Sequence, residues 1–402
     1  MVGALIVGAS LGGLRVAEGL RAAGYEQRIR LVGAEPHPPY DRPPLSKGLL
    51  TGEKEPADVV FRSDEELEAK GIELLVETSA LGLDMPSRRV QTTAGDLEFE
   101  DLVIATGARA RQLPGGDELD GVHTIRTLGD AVSIRRLLQS GSRVVVVGAG
   151  FIGAEVAAAA RALGLNVTVV EAMDHPLERA VGREAGAVCA ALHTEHGVEL
   201  VCGVEVDHLI GDSAVRSVVL ADGRHLEADL VVVGIGVQPN VEWLDGSGLD
   251  ISNGLLCDEY LSAAPGVYAV GDIARWANPR YDEHMRIEHW TTTVEQAVVV
   301  AHNISNPGSP RACDAIPYFW SDQYGHRIQF VGRTNADELV EIESDPALVT
   351  YLALYRLADK FVGALAIDGT VPLMQLRGQL ALGADDFEQA QELAQSLGGL
   401  SP

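Results

Sequence analysis

The chain has 402 residues, 46% of them hydrophobic, with 44 glycines and a formal net charge of −27. This length suggests two or three domains, and the strong negative charge argues against nucleic acid or an anionic membrane as a partner of the whole surface. No apolar run reaches the ~18 residues that a membrane-spanning helix needs, and no signal-like segment opens the chain, so we expect a cytoplasmic protein.

The first part of the chain has a strand–glycine turn–helix pattern. A short apolar strand leads into GASLGG and a helical segment. Gly8, Ser10 and Gly13 occupy the G-x-G-x-x-G frame, in which small residues let the backbone approach a pyrophosphate at a helix N-terminus. The following strand, Ile29–Val32, is succeeded by Glu35, an acid of the kind that binds an adenosine ribose. The pattern predicts a dinucleotide-binding fold.

A proline-rich segment, residues 36–50, follows this fold and contains Arg42 and Lys47. Prolines restrict the backbone and lower the entropy lost when a loop is held against a ligand. The segment is either a rigid surface connector or a loop that covers a flavin ring. The next predicted elements are a helix at 58–69, a strand at 74–76, a meander at 81–99, a strand at 102–105 and a helix at 128–139.

The strongest motif lies at the centre of the chain, in RVVVVGAGFIGAEVAAAARALGLNVTVVE. Val144–Val147 form a buried-strand run, and Gly148, Gly150 and Gly153 complete a second G-x-G-x-x-G before an Ala-rich helix. Glu171 ends the next strand, where it can accept the ribose hydroxyls and repel a 2′-phosphate. The motif predicts a second dinucleotide site, with NADH preferred over NADPH. The alternative is a glycine-rich turn without a ligand.

The second half of the chain is predicted to return to the first domain. The strand at 229–233 and its glycine turn repeat the pattern of the strand at 101–104 and the ATG turn. From about residue 307 the composition changes to an α+β domain. The predicted elements are a helix at 184–196, a hairpin at 204–220, a strand at 267–270, an irregular loop after Asp272, a helix at 293–303, strands at 339–342, 348–355 and 361–367, and a helix at 386–397.

Two dinucleotide folds in one chain indicate FAD and a pyridine nucleotide. Together with YDRPPLSK, ATG, IRTL, YAVGD, RIEHW and PYFWSDQYG, they resemble the pyridine nucleotide-disulfide oxidoreductase superfamily. More narrowly, the chain resembles NADH-dependent ferredoxin reductases of bacterial oxygenase systems, of the putidaredoxin reductase and biphenyl dioxygenase reductase type. The resemblance covers essentially the whole chain.

The resemblance implies a glutathione-reductase-like α/β fold with two Rossmann-like dinucleotide-binding domains, for FAD and NAD, plus a C-terminal α+β domain. The implied boundaries are 1–108 with 238–308 for FAD, 109–237 for NAD and 309–402 for the C-terminal domain. The implied FAD contacts are Gly8, Ser10, Gly13, Glu35, Arg42, Lys47, Ala80, Thr106, Gly107, Arg126, Gly271, Asp272 and Trp290. The implied NAD contacts are Gly148, Gly150, Ile152, Gly153, Glu155, Glu171 and Gly236.

Some of these residues carry specific roles by resemblance. Glu35 is expected on the adenosine ribose, Asp272 on a ribityl or phosphate-proximal hydroxyl, and Trp290 beside the isoalloxazine ring. Ser10 departs from the family, which mostly has glycine there. Lys47, Glu155 and Trp290 are the expected catalytic residues, and no metal site is predicted.

The loop after the first ribose acid distinguishes this chain from disulfide-using relatives. Those relatives carry a redox cysteine pair or one catalytic cysteine there, whereas residues 37–50 contain none. The four cysteines lie far apart without a C-x-x-C pair, which is typical of small buried side chains. Electrons are therefore expected to leave from the flavin itself.

A hypothesis follows for the hydride step, in which NADH reduces the flavin. Lys47 and Glu155 are predicted to pair beside flavin N5, because each follows a nucleotide-binding loop and is charged where apolar packing is expected. A positive charge there favours the anionic reduced flavin. The alternative for Glu155 is a first-turn acid favoured by the helix dipole, worth about 0.3–1 kcal/mol.

The implied acceptor is an iron–sulfur ferredoxin, expected to be [2Fe-2S], that serves a cytochrome P450 or Rieske oxygenase. Such ferredoxins are usually acidic, so docking on this acidic chain requires a local basic patch. The candidates by resemblance are Arg62, Arg311, Arg327 and Arg333. Tyr318, Phe319 and Trp320 are expected in the domain core rather than on an electron path.

Other functions remain open at this stage. One is a reductase of rubredoxin, quinone or oxygen, and another is a redox-sensing flavoprotein without turnover. The chain is expected to be a monomer or a weak homodimer.

Overall fold

The structure is a computed structural model that describes residues 2–141, 143–343 and 350–397. The chain forms two compact units, each built from segments that are distant in the sequence. The first unit comprises Met1–Asp41, Val59–Arg109 and Gln238–Pro317, and the second comprises Arg42–Asp58, Ala110–Val237 and Tyr318–Pro402. Residues 238–317 fold in the same unit as the N-terminal segment.

The second unit contains residues 110–237 of the predicted NAD-binding domain and residues 318–402 of the predicted C-terminal domain, together with residues 42–58. The proline-rich segment is therefore divided, with residues 36–41 in the first unit and residues 42–50 in the second. It is not a simple surface connector, since Leu45, Leu49 and Leu50 are buried. The division into three functional domains stays a prediction.

The strands are numbered in chain order. They are β1 (Ala4–Val7), β2 (Ile29–Val32), β3 (Ile72–Leu75), β4 (Ala80–Asp84), β5 (Arg89–Thr92), β6 (Gly95–Glu98), β7 (Asp101–Ile104), β8 (Ala108–Ala110), β9 (Val122–Thr124), β10 (Val144–Val147), β11 (Val167–Glu171), β12 (Glu199–Cys202), β13 (Val206–Gly211), β14 (Val215–Leu220), β15 (His225–Glu227), β16 (Leu230–Val233), β17 (Val237–Pro239), β18 (Leu255–Cys257), β19 (Ser262–Ala264), β20 (Val267–Ala269), β21 (Ala274–Asn278), β22 (Glu283–Arg286), β23 (Tyr318–Gln323), β24 (His326–Gly332), β25 (Glu338–Glu341), β26 (Tyr351–Leu357) and β27 (Lys360–Ile367).

The α-helices are numbered in the same way. They are α1 (Leu11–Ala22), α2 (Gly48–Thr51), α3 (Asp64–Ala69), α4 (Leu128–Gln139), α5 (Phe151–Ala162), α6 (Glu178–Val181), α7 (Arg183–Glu195), α8 (Trp290–Ser305), α9 (Thr370–Ala381) and α10 (Phe387–Leu397). Short 3-10 turns lie at Pro43–Ser46, Pro56–Val59, Gly116–Glu118, Glu242–Leu244 and Gly271–Ile273.

The first unit is built on the sheet β19-β20-β7-β1-β2-β3. Strand β1 lies between β2 and β7, parallel to both, and all four of its residues are buried. Such uninterrupted apolar strands are typical of parallel sheets that are covered on both faces. The two smaller sheets of this unit are β4-β5-β6, the predicted meander, and β18-β21-β22.

The second unit contains the parallel sheet β12-β11-β10-β16-β9 and the small antiparallel sheet β13-β14-β15. Strand β10 has the predicted bounds and pairs with β11 and β16. The C-terminal part forms the antiparallel sheet β23-β24-β27-β26-β25 with α9 and α10. The predicted α/β class with a C-terminal α+β region is confirmed.

Two predicted elements differ from the structure, one helix was not predicted, and one predicted strand is described only in part. The helix at 58–69 is divided, because Ser63 caps α3 with its side chain and Glu66 closes a capping box. The irregular loop after Asp272 contains strands β21 and β22, and helix α9 was not predicted. The strand predicted from residue 348 starts outside the described residues, and β26 is described from Tyr351.

Within residues 2–141, 143–343 and 350–397, no helix has both the length and the apolar character needed to cross a membrane.

Candidate functional site

The first glycine loop connects β1 to α1. Gly8 has φ +123°, and a Cβ there would lie 2.1 Å from the Ala105 carbonyl oxygen. A Cβ on Gly13 would lie 2.0 Å from the Gly8 carbonyl oxygen. Ser10, the N-cap of α1, has an extended backbone that any residue adopts, with φ −122° and ψ −160°. Serine is therefore compatible with the loop, which leads the backbone amides of the α1 N-terminus to the end of β1, as a pyrophosphate site requires.

The acid after β2 and the aromatic residue at the start of α8 are each held by a side chain in the same unit. The Tyr40 hydroxyl donates to Glu35 Oε2 at 2.5 Å. The Trp290 indole Nε1 donates to Asp41 Oδ1 at 3.0 Å. Tyr40 and Asp41 are consecutive residues, so the start of the YDRPPLSK motif orients both predicted contacts. Burial lowers the pKa of the neighbouring His289 to about 4, which keeps that imidazole neutral at physiological pH.

Side-chain amides hold two further turns of the first unit, at Gly271 and at Thr106. Gln296 is fully buried, and its Oε1 accepts from the Gly271 amide at 2.7 Å. Asn240 Nδ2 donates to the Thr106 carbonyl at 2.8 Å, and the Thr106 hydroxyl donates to the Asn240 carbonyl at 3.0 Å. Asp272 follows Gly271 directly.

The remaining predicted FAD contacts of the first unit are backbone positions. Gly107 has φ +60° and follows Thr106 in the ATG turn, and Ala80 begins β4. The first unit thus contains Gly8, Ser10, Gly13, Glu35, Ala80, Thr106, Gly107, Gly271, Asp272 and Trp290.

The second glycine loop connects β10 to α5 and shows the same construction. A Cβ on Gly148 would lie 2.5 Å from the Gly234 carbonyl oxygen, and one on Gly153 would lie 2.0 Å from the Gly148 carbonyl oxygen. A Cβ on Gly150 would make only an ordinary contact, 3.9 Å from the Gly234 carbonyl oxygen, so a methyl group has room there. The loop therefore has close packing on its protein side and room on the other, which fits a pyrophosphate.

The acid of this second site is held at the loop by the backbone. Glu171 Oε2 accepts from the Ala149 amide at 2.7 Å, and Oε1 accepts from the Met173 amide at 2.9 Å. The carboxylate is therefore placed beside the glycine loop before any nucleotide arrives. Ile152 is 42% exposed on α5, and Gly236 has φ +97° after β16.

Lys47 and Glu155 form an ion pair in the second unit. Lys47 Nζ lies 2.8 Å from Glu155 Oε2, and the Glu155 side chain is only 3% exposed. The predicted pair is confirmed. The alternative of a first-turn acid is wrong, because the first turn of α5 contains no acidic residue. The position of this pair relative to a flavin stays a prediction.

Two serines complete the surroundings of Glu155. Ser46 Oγ donates to Oε2 at 2.5 Å and Ser321 Oγ donates to Oε1 at 2.7 Å. Sequence reasoning missed both serines, as it missed Asp41 and Gln296. For Ser321, the sequence contained a signal, because the polar residues of PYFWSDQYG interrupt an otherwise aromatic strand.

The 42–58 segment is attached to the α4 region of the same unit. The Arg42 guanidinium donates to the Arg126 carbonyl, which brings these two predicted flavin contacts together. Arg135 and Glu55 form a bidentate pair at 2.9 and 3.1 Å. Arg42, Lys47 and Arg126 therefore belong to the second unit, whereas the other predicted FAD contacts belong to the first.

Arg62 and Arg327, two of the arginines predicted for docking, form ion pairs with carboxylates. Arg62 Nε lies 2.9 Å from Glu18 Oε1, and Arg327 Nε lies 2.7 Å from Asp322 Oδ1. Their charges are partly neutralised, so neither provides a strong basic patch. Phe319 is buried, as expected for a core residue, whereas Tyr318 and Trp320 are half-buried.

The cysteines have the predicted character. Cys189, Cys257 and Cys313 are buried and Cys202 is half-buried, and all four are free thiols. Burial raises the pKa of the Cys189 thiol to about 12, which suppresses the thiolate form that redox chemistry needs.

Two protein-family models match this chain, one after the other along the sequence. Residues 3–297 match the family model described as pyridine nucleotide-disulphide oxidoreductase, and residues 318–397 match the reductase C-terminal model. Rhodocoxin reductase from Rhodococcus erythropolis is 39% identical, over 82% of this chain and 78% of that protein.

Two solved structures have closely similar folds. The ferredoxin reductase for the CYP199A2 system from Rhodopseudomonas palustris matches with a TM-score of 0.93 and 35% identity over 99% of both chains. Putidaredoxin reductase in its covalent complex with putidaredoxin matches with a TM-score of 0.90 and 32% identity over 99% of both chains.

Proposed function

The chain belongs to the pyridine nucleotide-disulphide oxidoreductase family, and we propose that it is an FAD-dependent NADH:ferredoxin oxidoreductase that passes electrons singly to an iron–sulfur ferredoxin. The family recognised in the sequence motifs is confirmed, and its members of known function include ferredoxin–NAD(+) reductases of oxygenase systems. FAD and NADH are the cofactors of this activity.

The observation that carries the proposal is the ion pair between Lys47 and Glu155. Lys47 lies in residues 37–50, a segment that contains no cysteine. A loop with a buried ion pair and no thiol supports hydride transfer but cannot form the disulfide that dithiol-using relatives need. The electrons are therefore expected to leave from the flavin itself.

The two glycine loops bind the pyrophosphates, and each acid, Glu35 or Glu171, binds an adenosine ribose. FAD, when bound there, would supply the chemistry that accepts a hydride from NADH and passes on two electrons singly, as an iron–sulfur acceptor requires. Lys47 supplies positive charge where negative charge accumulates. Trp290, whose indole donates to Asp41, would lie beside the isoalloxazine ring.

The acceptor that fits this chemistry is a [2Fe-2S] ferredoxin, which serves a cytochrome P450 or Rieske oxygenase in the cytoplasm. Rhodocoxin reductase is one relative of this chain. Another is the biphenyl dioxygenase system ferredoxin–NAD(+) reductase component, whose name includes both a ferredoxin and a dioxygenase. The enzyme acts as a monomer or a weak homodimer.

NADH is expected to be the better reductant by kcat/KM. Glu171 is fixed beside the glycine loop and repels a 2′-phosphate, and no Arg or Lys follows it in the sequence until Arg179. Steady-state kinetics with both nucleotides on flavin-loaded protein test this. A higher kcat/KM for NADPH would contradict the role given to Glu171.

The function itself is tested by NADH-dependent cytochrome c reduction, with and without a bacterial [2Fe-2S] ferredoxin, on protein whose flavin content has been confirmed by absorbance. We expect strong stimulation by the ferredoxin. Rapid ferricyanide reduction with no transfer through any ferredoxin would keep the NADH–flavin half and move the acceptor to a quinone, rubredoxin or oxygen. Negligible turnover with every acceptor would indicate a redox sensor.

A further inference from the structure

A buried chain of polar side chains leads from the C-terminal sheet to Lys47. Gln323 Nε2 donates to Ser321 Oγ at 3.0 Å, and Ser321 Oγ donates to Glu155 Oε1 at 2.7 Å. On the other carboxylate oxygen, Lys47 Nζ lies at 2.8 Å. All four residues belong to the second unit.

The direction of this chain is fixed by chemistry. The amide nitrogen of Gln323 can only donate, so the Ser321 oxygen accepts from it. The Ser321 hydrogen is then directed to Glu155, whose carboxylate can only accept when it is ionised.

The strand that carries these residues alternates regularly. In β23, Phe319, Ser321 and Gln323 are buried. Ser321 and Gln323 are at most 1% exposed. Burying polar groups costs free energy unless they are hydrogen-bonded, so an apolar residue at position 321 would be the cheaper choice for packing alone. The serine is explained by its partner, Glu155.

We infer that Ser321 is a positioning residue for the Lys47–Glu155 pair, an assignment that rests on the proposed NADH–flavin reaction. With Ser321 on Oε1 and Ser46 on Oε2, both oxygens of the buried carboxylate are satisfied and its orientation is fixed. Lys47 has a flexible four-carbon stem, and its ammonium is then held between Glu155 and the Pro43 carbonyl, which accepts from Nζ at 3.1 Å. The C-terminal region thereby orders a residue of the hydride site.

The matched variants are Ser321→Thr and Ser321→Val. The two side chains have the same shape and are both β-branched, and only threonine keeps the hydroxyl. Any general disturbance from the added methyl group in the strand is common to both, so the difference between them reports the hydrogen bond to Glu155.

Lysine reactivity gives a readout that does not depend on flavin turnover. The chain contains four lysines, Lys47, Lys54, Lys70 and Lys360, so acetylation of each in the full-length holoenzyme is resolved by mass spectrometry. In Ser321→Val we expect Lys47 to react about fivefold faster than in Ser321→Thr, the factor that corresponds to one lost hydrogen bond. The rates at the other three lysines should agree between the two variants.

Stopped-flow reduction of the flavin by NADH provides the second readout. Ser321→Val should slow reduction by a similar factor relative to Ser321→Thr, and it should have no further effect when Lys47 is already methionine, because the two residues act through one pair. Equal Lys47 acetylation rates in the two variants would overturn the assignment. So would an additive effect in the Lys47→Met background. A wild-type flavin that NADH does not reduce would refute the proposed function, whereas the acetylation result would still decide the contact.

Discussion

Replacing Lys47 by methionine is expected to slow reduction of the bound flavin by NADH about 10²-fold, the usual effect of removing one group that stabilises developing charge. The side chain is 21% exposed and pairs with a carboxylate that is 3% exposed, so solvent screens the pair only partly. Stopped-flow absorbance of the flavin after mixing with NADH measures the rate. Lys47 is itself a predicted FAD contact, so the FAD content of each preparation is determined by absorbance and the rate is expressed per bound flavin.

Lys54→Met is the matched control, since Lys54 lies in the same 42–58 segment and is exposed. It should leave the rate unchanged. Lys47→Met also leaves Glu155 buried without its cation, which is destabilising, and the double variant with Glu155→Gln removes both charges. If flavin reduction recovers in the double variant, the unpaired Glu155 carboxylate slows the reaction in Lys47→Met, rather than the loss of the Lys47 ammonium. An unchanged rate in Lys47→Met would refute the role of the pair.

Gly150→Ala is expected to weaken NADH binding about 10-fold to 100-fold while leaving the fold intact. The backbone at Gly150 has φ −73° and ψ −176°, which alanine adopts without strain, and a Cβ there meets no described protein atom closer than 3.9 Å. The methyl group therefore enters the space that the pyrophosphate is expected to occupy, at the cost of about 1–3 kcal/mol that overpacking brings. The Kd of a non-reducing NADH analogue, from titration of the oxidised enzyme, measures the effect.

Gly153→Ala serves as the contrasting control. Its Cβ would lie 2.0 Å from the Gly148 carbonyl oxygen, so this change should lower the melting temperature as well as NADH affinity. Gly150→Ala should melt close to the wild-type temperature. If Gly150→Ala binds the nucleotide with wild-type affinity, the second glycine loop does not hold the pyrophosphate.

The sequence by itself determined the elements whose signals are local. The valine run of β10, the two glycine frames and the acids Glu35 and Glu171 follow from strand periodicity and from close backbone approach, both of which act over a few residues. The Lys47–Glu155 pair was also predictable, because each residue adjoins a recognisable motif. The absence of cysteine from residues 37–50 excluded dithiol chemistry without any structure.

Only the tertiary structure decided which distant segments fold together. The sequence does not show that residues 42–58 join the second unit, nor that Ser321 reaches Glu155, 166 positions earlier in the chain. Likewise, Asp41 binds the Trp290 indole across 249 positions. The physical reason is that a hydroxyl or carboxylate has no periodic pattern of its own, and its partner is chosen by packing of strands and helices that are far apart along the chain.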